Sequence, residues 1–303
     1  VPSDVIVYNG ASGGLGRYLA EPLLRAGETI HALAARLEDQ SKLAAELSWL
    51  DAGGAMTFIH LAARVSVPAC ESDPSGAHST NVVLAHATVE TVIDWALRRG
   101  ADVRVIYVSS GHVYAAQPDG SRLSEDAPLG PRSVYAQTKL AAEQDLLALA
   151  STRGVPIIVA RVFGLLAPHQ APNYVLPALI ERARNGNLDG IPGLDFARDY
   201  LDARDVCENL RLLASAPWPD TSPVVNICSG VAVTIRELLR AVLEEIDPKR
   251  ADVAARHATA APGRSDDIRW LVGDPSAFIH LTGNLPQRIP LSRTVADAVG
   301  GVG

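Results

Sequence analysis

The chain has 303 residues, 27 basic and 34 acidic side chains, a formal net charge of −7 and 48% hydrophobic residues. That apolar fraction with mixed charge excludes a disordered chain, and the length can bury one large core or two modest ones. A negative balance with no basic cluster argues against nucleic-acid and membrane-surface partners, and no apolar run approaches the ~20 residues that span a bilayer.

In chain order, the pattern is strand, then helix, repeated. Val5 to Tyr8 is a short apolar run of the kind expected of a strand covered on both faces. A glycine-rich turn leads into a helical stretch from Leu15 to Ala26 that stops at Gly27. Thr29 to Leu33 reads as strand, Lys42 to Leu50 as helix and Met56 to Leu61 as strand. A long helix is predicted from Ala77 to Arg99, a strand from Val103 to Ser109, a second long helix from Val134 to Ala150 and a strand from Val155 to Arg161. This alternation predicts an α/β fold, a Rossmann-type doubly wound parallel sheet. Beyond Arg161 the regularity fades. A proline-containing stretch from Ala167 to Pro177 leads into a helix and then a glycine-rich loop, Asn185 to Gly193. Val224 to Cys228 reads as strand and Thr234 to Ile246 as helix, and the last 55 or so residues read as irregular. The division expected is a Rossmann domain from 1–164 plus 199–230, and a smaller α/β substrate domain from 165–198 plus 231–303.

The cysteines, Cys70, Cys207 and Cys228, are far apart without CxxC spacing, and so read as reduced, buried side chains with no disulfide or metal site. Val1-Pro2-Ser3-Asp4 lacks the layout of a signal peptide, so a cytoplasmic location is expected. Only Lys42, Lys139 and Lys249 are lysines in a chain that otherwise uses arginine, which makes each one worth asking about.

Gly10-Ala-Ser-Gly13-Gly14-Leu-Gly16 follows the first strand and opens the first helix. Glycines suit a sharp turn that a pyrophosphate approaches closely, and a helix N-terminus supplies unpaired N–H groups and positive dipole. Glycine clusters are common in loops; the position at the first strand of an alternating chain is what points to a nucleotide. Tyr135 and Lys139 lie four apart at the start of a helix and share one face. Chance would supply roughly 0.07 such pairs in this composition. A tyrosine serves as acid or base at neutral pH when a neighbouring ammonium lowers its pKa. Ser109 and Ser110 end the preceding strand, where parallel sheets bind ligands and where a hydroxyl can bond a substrate oxygen.

These motifs resemble an extended short-chain dehydrogenase/reductase, the branch of NAD(P)-dependent nucleotide-sugar epimerases, dehydratases and reductases. The resemblance covers nearly the whole chain. It is carried by Gly10, Gly13 and Gly16; His60-Leu-Ala-Ala63; Asn81; Val108-Ser-Ser-Gly-His-Val-Tyr114; Tyr135 to Lys139; Arg161-Val-Phe163; and Arg198-Asp-Tyr-Leu-Asp-Ala-Arg-Asp205. The downstream half is most similar to reductases of nucleotide-linked 4-keto-6-deoxyhexoses, of the GDP-sugar reductase type, through Asn226 to Gly230, Thr234 to Leu239 and Leu271 to Ser276. The resemblance implies that Tyr135 is the catalytic acid/base, that Lys139 lowers its pKa and binds the nicotinamide ribose, and that Ser110 orients the sugar oxygen. It further implies a cofactor site of Gly10, Ser12, Gly13, Gly14, Leu15, Gly16, Arg17, Arg36, Leu61, Ala62, Ala63, Asn81, Val108, Ser109, Tyr135, Lys139 and Val162. The implied substrate site comprises Ser110, Gly111, His112, Tyr135, Asn173, Arg198, Arg264 and Asp267, with Asp266 a near match for the last.

Departures from the family pattern bear on the reaction. The 4,6-dehydratases carry an acid just after the catalytic hydroxyl, where this chain has Gly111 and His112, so elimination is not expected. Gly164 and Ala167 replace the usual Asn and Gly. Leu33-Ala-Ala-Arg36 ends the second strand without an acid and Arg17 follows the third glycine, which suits the 2′-phosphate of NADP(H). If Arg36-Leu-Glu-Asp39 instead matches the family's Asp-Leu-x-Asp segment, Arg36 does not read that phosphate and NAD(H) is the alternative. The activity expected is reduction of the 4-keto group of a dTDP-, GDP- or UDP-linked deoxyhexose. The alternatives are an NAD-dependent C4 epimerase and a non-catalytic nucleotide-binding module. Family members pair their two long helices across a dimer, so a homodimer is expected.

Overall fold

The computed structural model describes residues 5–50, 54–219, 221–263 and 267–301. It begins with β1 (Val5–Tyr8), α1 (Gly16–Arg25), β2 (Ile30–Ala32), α2 (Gln40–Ser48), β3 (Ala55–His60) and α3 (Val67–Ser72). Next, α4 (Pro74–His78) runs through a π-helical segment, Ser79–Leu84, into α5 (Ala85–Arg98). β4 (Asp102–Ser110), a 3-10 turn at Gly111–Val113, α6 (Val134–Arg153), β5 (Ile157–Val162), β6 (Gly164–Leu166), α7 (Val175–Arg184) and β7 (Ile191–Pro192) follow. The rest comprises β8 (Ala197–Asp202), α8 (Ala203–Ser215), β9 (Val224–Ile227), β10 (Ala232–Thr234), α9 (Ile235–Ile246), α10 (Ala251–His257), β11 (Ala260–Ala261), β12 (Trp270–Leu271), α11 (Ser276–Thr282) and α12 (Leu291–Gly301).

Six strands form one parallel sheet in the order β2-β1-β3-β4-β5-β9, the doubly wound arrangement the alternation predicts. The order reverses at β1, so a crevice opens beyond the carboxyl ends of β1 and β3. Strands buried on both faces explain the unbroken apolar runs. Along β1, Val5 and Val7 pack with Phe58, Val89, Ile93 and Leu146 on one side of the sheet. Ile6 and Tyr8 pack with Leu19, Ile106, Leu210 and Phe278 on the other, the period of two that a strand imposes.

A smaller sheet, β10-β8-β12 with β6 against β8, stands beside it. Its helices share a separate core of Leu176, Leu179, Leu238, Val242 and Val295. Contrary to the irregular tail expected, the last residues hold α10, α11 and α12. These are short helices held by tertiary packing rather than by a long apolar period. Phe278 of α11 is buried on the parallel sheet, so this helix returns to the first layer while Val295 and Ala298 of α12 join the second. Among the described residues no helix is long and apolar enough to cross a membrane.

Candidate active site

The turn after β1 is built by steric necessity. Gly10 has φ 71°, and a Cβ there would lie 2.9 Å from the Ala62 amide nitrogen; a Cβ on Gly16 would lie 2.1 Å from the Gly10 carbonyl oxygen. The β1 and β3 ends therefore touch through backbone, and α1 starts directly against the turn. Asn9, buried, locks the crossing: its Oδ1 accepts from Leu61 N at 2.9 Å and Ala62 N at 3.0 Å, and its Nδ2 lies 3.0 Å from His60 Nδ1. Ser12, Gly13 and Gly14 are exposed, and no side chain caps the first turn of α1 beyond Leu15, which leaves a cradle of open N–H groups.

Arg17 and Arg36 are both exposed. Arg17 folds back towards the turn, its Nε donating to Gly13 O at 3.4 Å. Arg36 lies between β2 and α2, close to Asn9, Leu33, Ala35, Leu37 and Thr88. The segment from Leu33 to Arg36 has no acid of its own, as expected, but a carboxylate from α2 reaches it. Glu46 reaches across from α2 and accepts from Ala34 N at 2.9 Å and Ala35 N at 3.1 Å. Sequence reading missed it because it comes from the helix after the strand.

Tyr135 sits in the first turn of α6, whose N-cap Ser133 accepts from Ala136 N at 3.2 Å. Ser110 ends β4, with its Oγ accepting from His112 N at 3.2 Å. Burial pushes the Tyr135 phenol up to about 12, while its hydrogen bond with Ser110 pulls it down. Lys139 is 3% exposed, and its Nζ donates to Val108 O at 2.8 Å and to Tyr107 Oη at 3.3 Å, over the face of that ring. Burial lowers its pKa to about 8, opposed by the carboxylate of Glu143. The ammonium's hydrogen bonds go to β4, and Lys139 lies one helical turn beyond Tyr135 on the same face of α6.

Behind this centre lies a buried polar cluster the sequence reading did not assemble. The Ser109 hydroxyl donates to Glu143, and Arg161 Nη2 meets the same carboxylate at 2.7 Å. The Arg161 guanidinium also lies over the Tyr114 ring, whose Oη donates to Asn226 Oδ1 at 2.7 Å. The signal was legible: Glu143 follows Lys139 by four residues, and Arg161 stands directly across the ladder from Ser109.

Other expected residues have mixed placements. Asn81, buried within the π-helical segment, accepts from Arg64 N at 2.7 Å and donates to Arg64 O and to Thr138 Oγ1, each at 3.0 Å. It braces the loop after β3 against α6, and this explains the π turn within the single long helix expected. Leu61, Ala62 and Ala63 are half-buried in that loop; Val108 and Val162 are buried on β4 and β5. Gly111 packs so that a Cβ would lie 3.0 Å from the Phe163 ring. His112 is half-buried and meets Tyr135 edge-on, with centroids 6.5 Å apart. Asn173 is exposed in the turn before α7, while its neighbour Tyr174 faces Tyr135. Arg198, nearly buried, pairs with Asp267, bringing two expected substrate residues together; Asp267 O also accepts from Arg132 Nη1 at 3.0 Å. Arg264 and Asp266 lie outside the described residues. Among the described residues no group of three or more His, Cys, Asp or Glu could hold a metal ion.

Residues 6–228 match the sequence profile of the NAD dependent epimerase/dehydratase family. The chain is 32% identical over 189 residues to GDP-6-deoxy-D-mannose reductase of Pseudomonas aeruginosa, a match spanning 60% of each chain. It is 24% identical over 288 residues to GDP-6-deoxy-D-talose 4-dehydrogenase of Aggregatibacter actinomycetemcomitans, covering 92% of this chain and 91% of that one. Among solved structures, RMD from Pseudomonas aeruginosa complexed with NADPH superposes with a TM-score of 0.81 at 25% identity, covering 99% of this chain and 98% of that one. The Thermus thermophilus UDP-glucose 4-epimerase complex with NAD shares the fold, with a TM-score of 0.79 at 22% identity over 98% of each chain.

Proposed function

The chain belongs to the NAD dependent epimerase/dehydratase family, and on that footing we propose that it is an NAD(P)H-dependent reductase of the 4-keto group of a nucleotide-linked deoxyhexose. The observation that carries this reading is Tyr135 in the first turn of α6 beside Ser110 at the end of β4, with glycine and histidine, not an acid, in the two positions after Ser110. Reduction needs a proton donor at the carbonyl oxygen, which a tyrosine so placed supplies. Elimination needs an acid beside the hydroxyl, and Gly111 lies too close to Phe163 to be replaced by a carboxylate without repacking.

The exposed turn from Ser12 to Gly14 and the open start of α1 fit a dinucleotide pyrophosphate, and the close backbone contacts of Gly10 and Gly16 keep that cradle flat. When bound, the nicotinamide supplies a hydride to the carbonyl carbon. As charge develops on the carbonyl oxygen, Ser110 donates a hydrogen bond to it and Tyr135 transfers its phenol proton. Lys139, one helical turn away and held by Val108 O and Tyr107, supports the phenolate that remains. Two exposed arginines, Arg17 and Arg36, favour NADP(H) over NAD(H). On the substrate side, Arg198, Arg264, Asp267, Asn173 and His112 take the nucleotide diphosphate and the sugar. Residues 1–164 with 199–230 form the cofactor unit and 165–198 with 231–303 the substrate unit, except that β8 runs to Asp202 within the smaller sheet and α11 returns to the first unit. The outer faces of α5 and α6 form a homodimer contact in this reading.

The test is consumption of NADPH and of NADH against dTDP-, GDP- and UDP-linked 4-keto-6-deoxyhexoses, with the product sugar identified by chromatography. Stoichiometric NADPH oxidation with formation of the 4-hydroxy sugar is expected. Interconversion of C4 epimers on tightly held NAD, with no net cofactor consumption, would instead identify an epimerase.

A further inference from the structure

The ketoreductase reading uses Ser110, Tyr135 and Lys139 and leaves unexplained why a carboxylate is buried directly behind them. Glu143 and Arg161 have side chains only 2% and 4% exposed. Burying an ion pair is costly unless every hydrogen-bonding position is satisfied, so such a pair is weak as a source of stability alone. Here the satisfaction is close to complete. Arg161 Nε reaches the two carboxylate oxygens at 3.1 and 3.2 Å, Nη2 reaches one at 2.7 Å, and Ser109 Oγ donates as well. Arg161 Nη1 is taken by Glu125 O at 3.3 Å.

The placement is specific to the acid–base centre. Tyr135, Lys139 and Glu143 follow one another at intervals of four along α6 and so share a face. Ser109 immediately precedes Ser110. We propose that Glu143 is a positioning residue of this centre: clamped by Arg161, its carboxylate ties α6 to the strand end that carries Ser110 and balances the ammonium of Lys139 one helical turn away. The inference rests on the ketoreductase reading for which groups form the centre, but not for its test. The ionisable groups that interact with Lys139 are Tyr107 on β4, His60 on β3, Cys70 on α3 and Glu143 on α6. Of these Glu143 is the group whose charge favours the ammonium most.

With three lysines in the chain, lysine labelled at Cε with carbon-13 gives three resonances, and Lys139 is assigned by the loss of one in Lys139→Met. The Lys139 titration midpoint is expected near 8 in the native protein. In Glu143→Gln it falls by about one pH unit or more, a tenfold weaker hold on the proton. Because that variant strands the Arg161 charge, Glu143→Met combined with Arg161→Met, an apolar replacement of the whole pair, gives a second measurement, a downward shift smaller than in Glu143→Gln because no stranded cation adds to it. Ser109→Ala loosens the tie while keeping the carboxylate, and the midpoint stays in place. An unmoved midpoint in either Glu143 variant overturns the inference, as does an equal shift in Ser109→Ala, which would mean general loosening. No substrate is needed, so failure of the ketoreductase reading shows separately, as absent hydride transfer in the native protein.

Discussion

Replacing Gly16 with alanine sets local preference against tertiary fit. Gly16 is the first residue of α1, and in a helix alanine is intrinsically favoured over glycine by about 1 kcal/mol. The added methyl would stand 2.1 Å from the Gly10 carbonyl oxygen and 2.6 Å from Ala11 Cα. Both are backbone atoms and cannot swing aside. Relief therefore moves the turn or the helix start, and overpacking of this kind costs ~1–3 kcal/mol. The two contributions leave a net destabilisation of ~0–2 kcal/mol, which calorimetry reads as a fall in Tm of only a few degrees. The larger effect is on the cradle, whose displacement weakens dinucleotide binding about tenfold or more, equivalent to ~1.4 kcal/mol. Gly300→Ala in α12 is the control, since nothing lies within 4 Å of a Cβ there and α12 belongs to the second layer. Fluorescence titration with NADPH compares the two variants. If Gly16→Ala binds as tightly as Gly300→Ala, backbone crowding at Gly16 does not shape the cradle and the steric reasoning fails.

Tyr135→Phe removes the proton donor and lowers kcat by about 10²–10⁴, with NADPH affinity retained; turnover kept within tenfold would rule out the tyrosine's role. Gly111→Asp brings a side chain against Phe163, costs ~1–3 kcal/mol by thermal unfolding and creates no dehydratase; a dehydrated product would contradict the packing argument. His60 is held down to about 3 by burial and, secondarily, by Lys139, so between that value and ~6.5 the unfolded chain carries a proton the folded chain lacks. Stability contributed by this group is therefore lost as pH falls through that window, by ~2–3 kcal/mol at about pH 4.5. His60→Phe gains that much relative to the native protein between about pH 7 and 4.5 in urea unfolding, and a pH-independent difference would refute the assignment.

The parallel sheet was legible because strands buried on both faces leave unbroken apolar runs, and because Gly27, Gly100 and Gly154 punctuate the helices they follow. The smaller layer was not, since β6, β10 and β12 have two or three residues each and draw their order from β8. Likewise α11 carries a single fully buried anchor, Phe278, too little to set a period. At the site, the i, i+4 spacing of Tyr135 and Lys139 put both on one helical face, but where the ammonium would point was not encoded in that spacing. It turns to Tyr107 and Val108 O because β4 runs directly beneath α6. Glu46 and Glu143 escaped notice for a related reason: each acts on a residue distant in sequence, Ala34 and Ser109 respectively.

Deuterium transfer is the decisive measurement for the ketoreductase reading. NADPH carrying deuterium on the transferring face of C4 is incubated with a GDP- or dTDP-linked 4-keto-6-deoxyhexose, and the product sugar is read by NMR. One deuterium at sugar C4 is expected for each NADPH oxidised, and none in Tyr135→Phe. Absence of deuterium at C4 and of NADPH oxidation with these keto sugars, while 4-hydroxy nucleotide sugars are interconverted at C4 on protein-bound NAD, would contradict that reading.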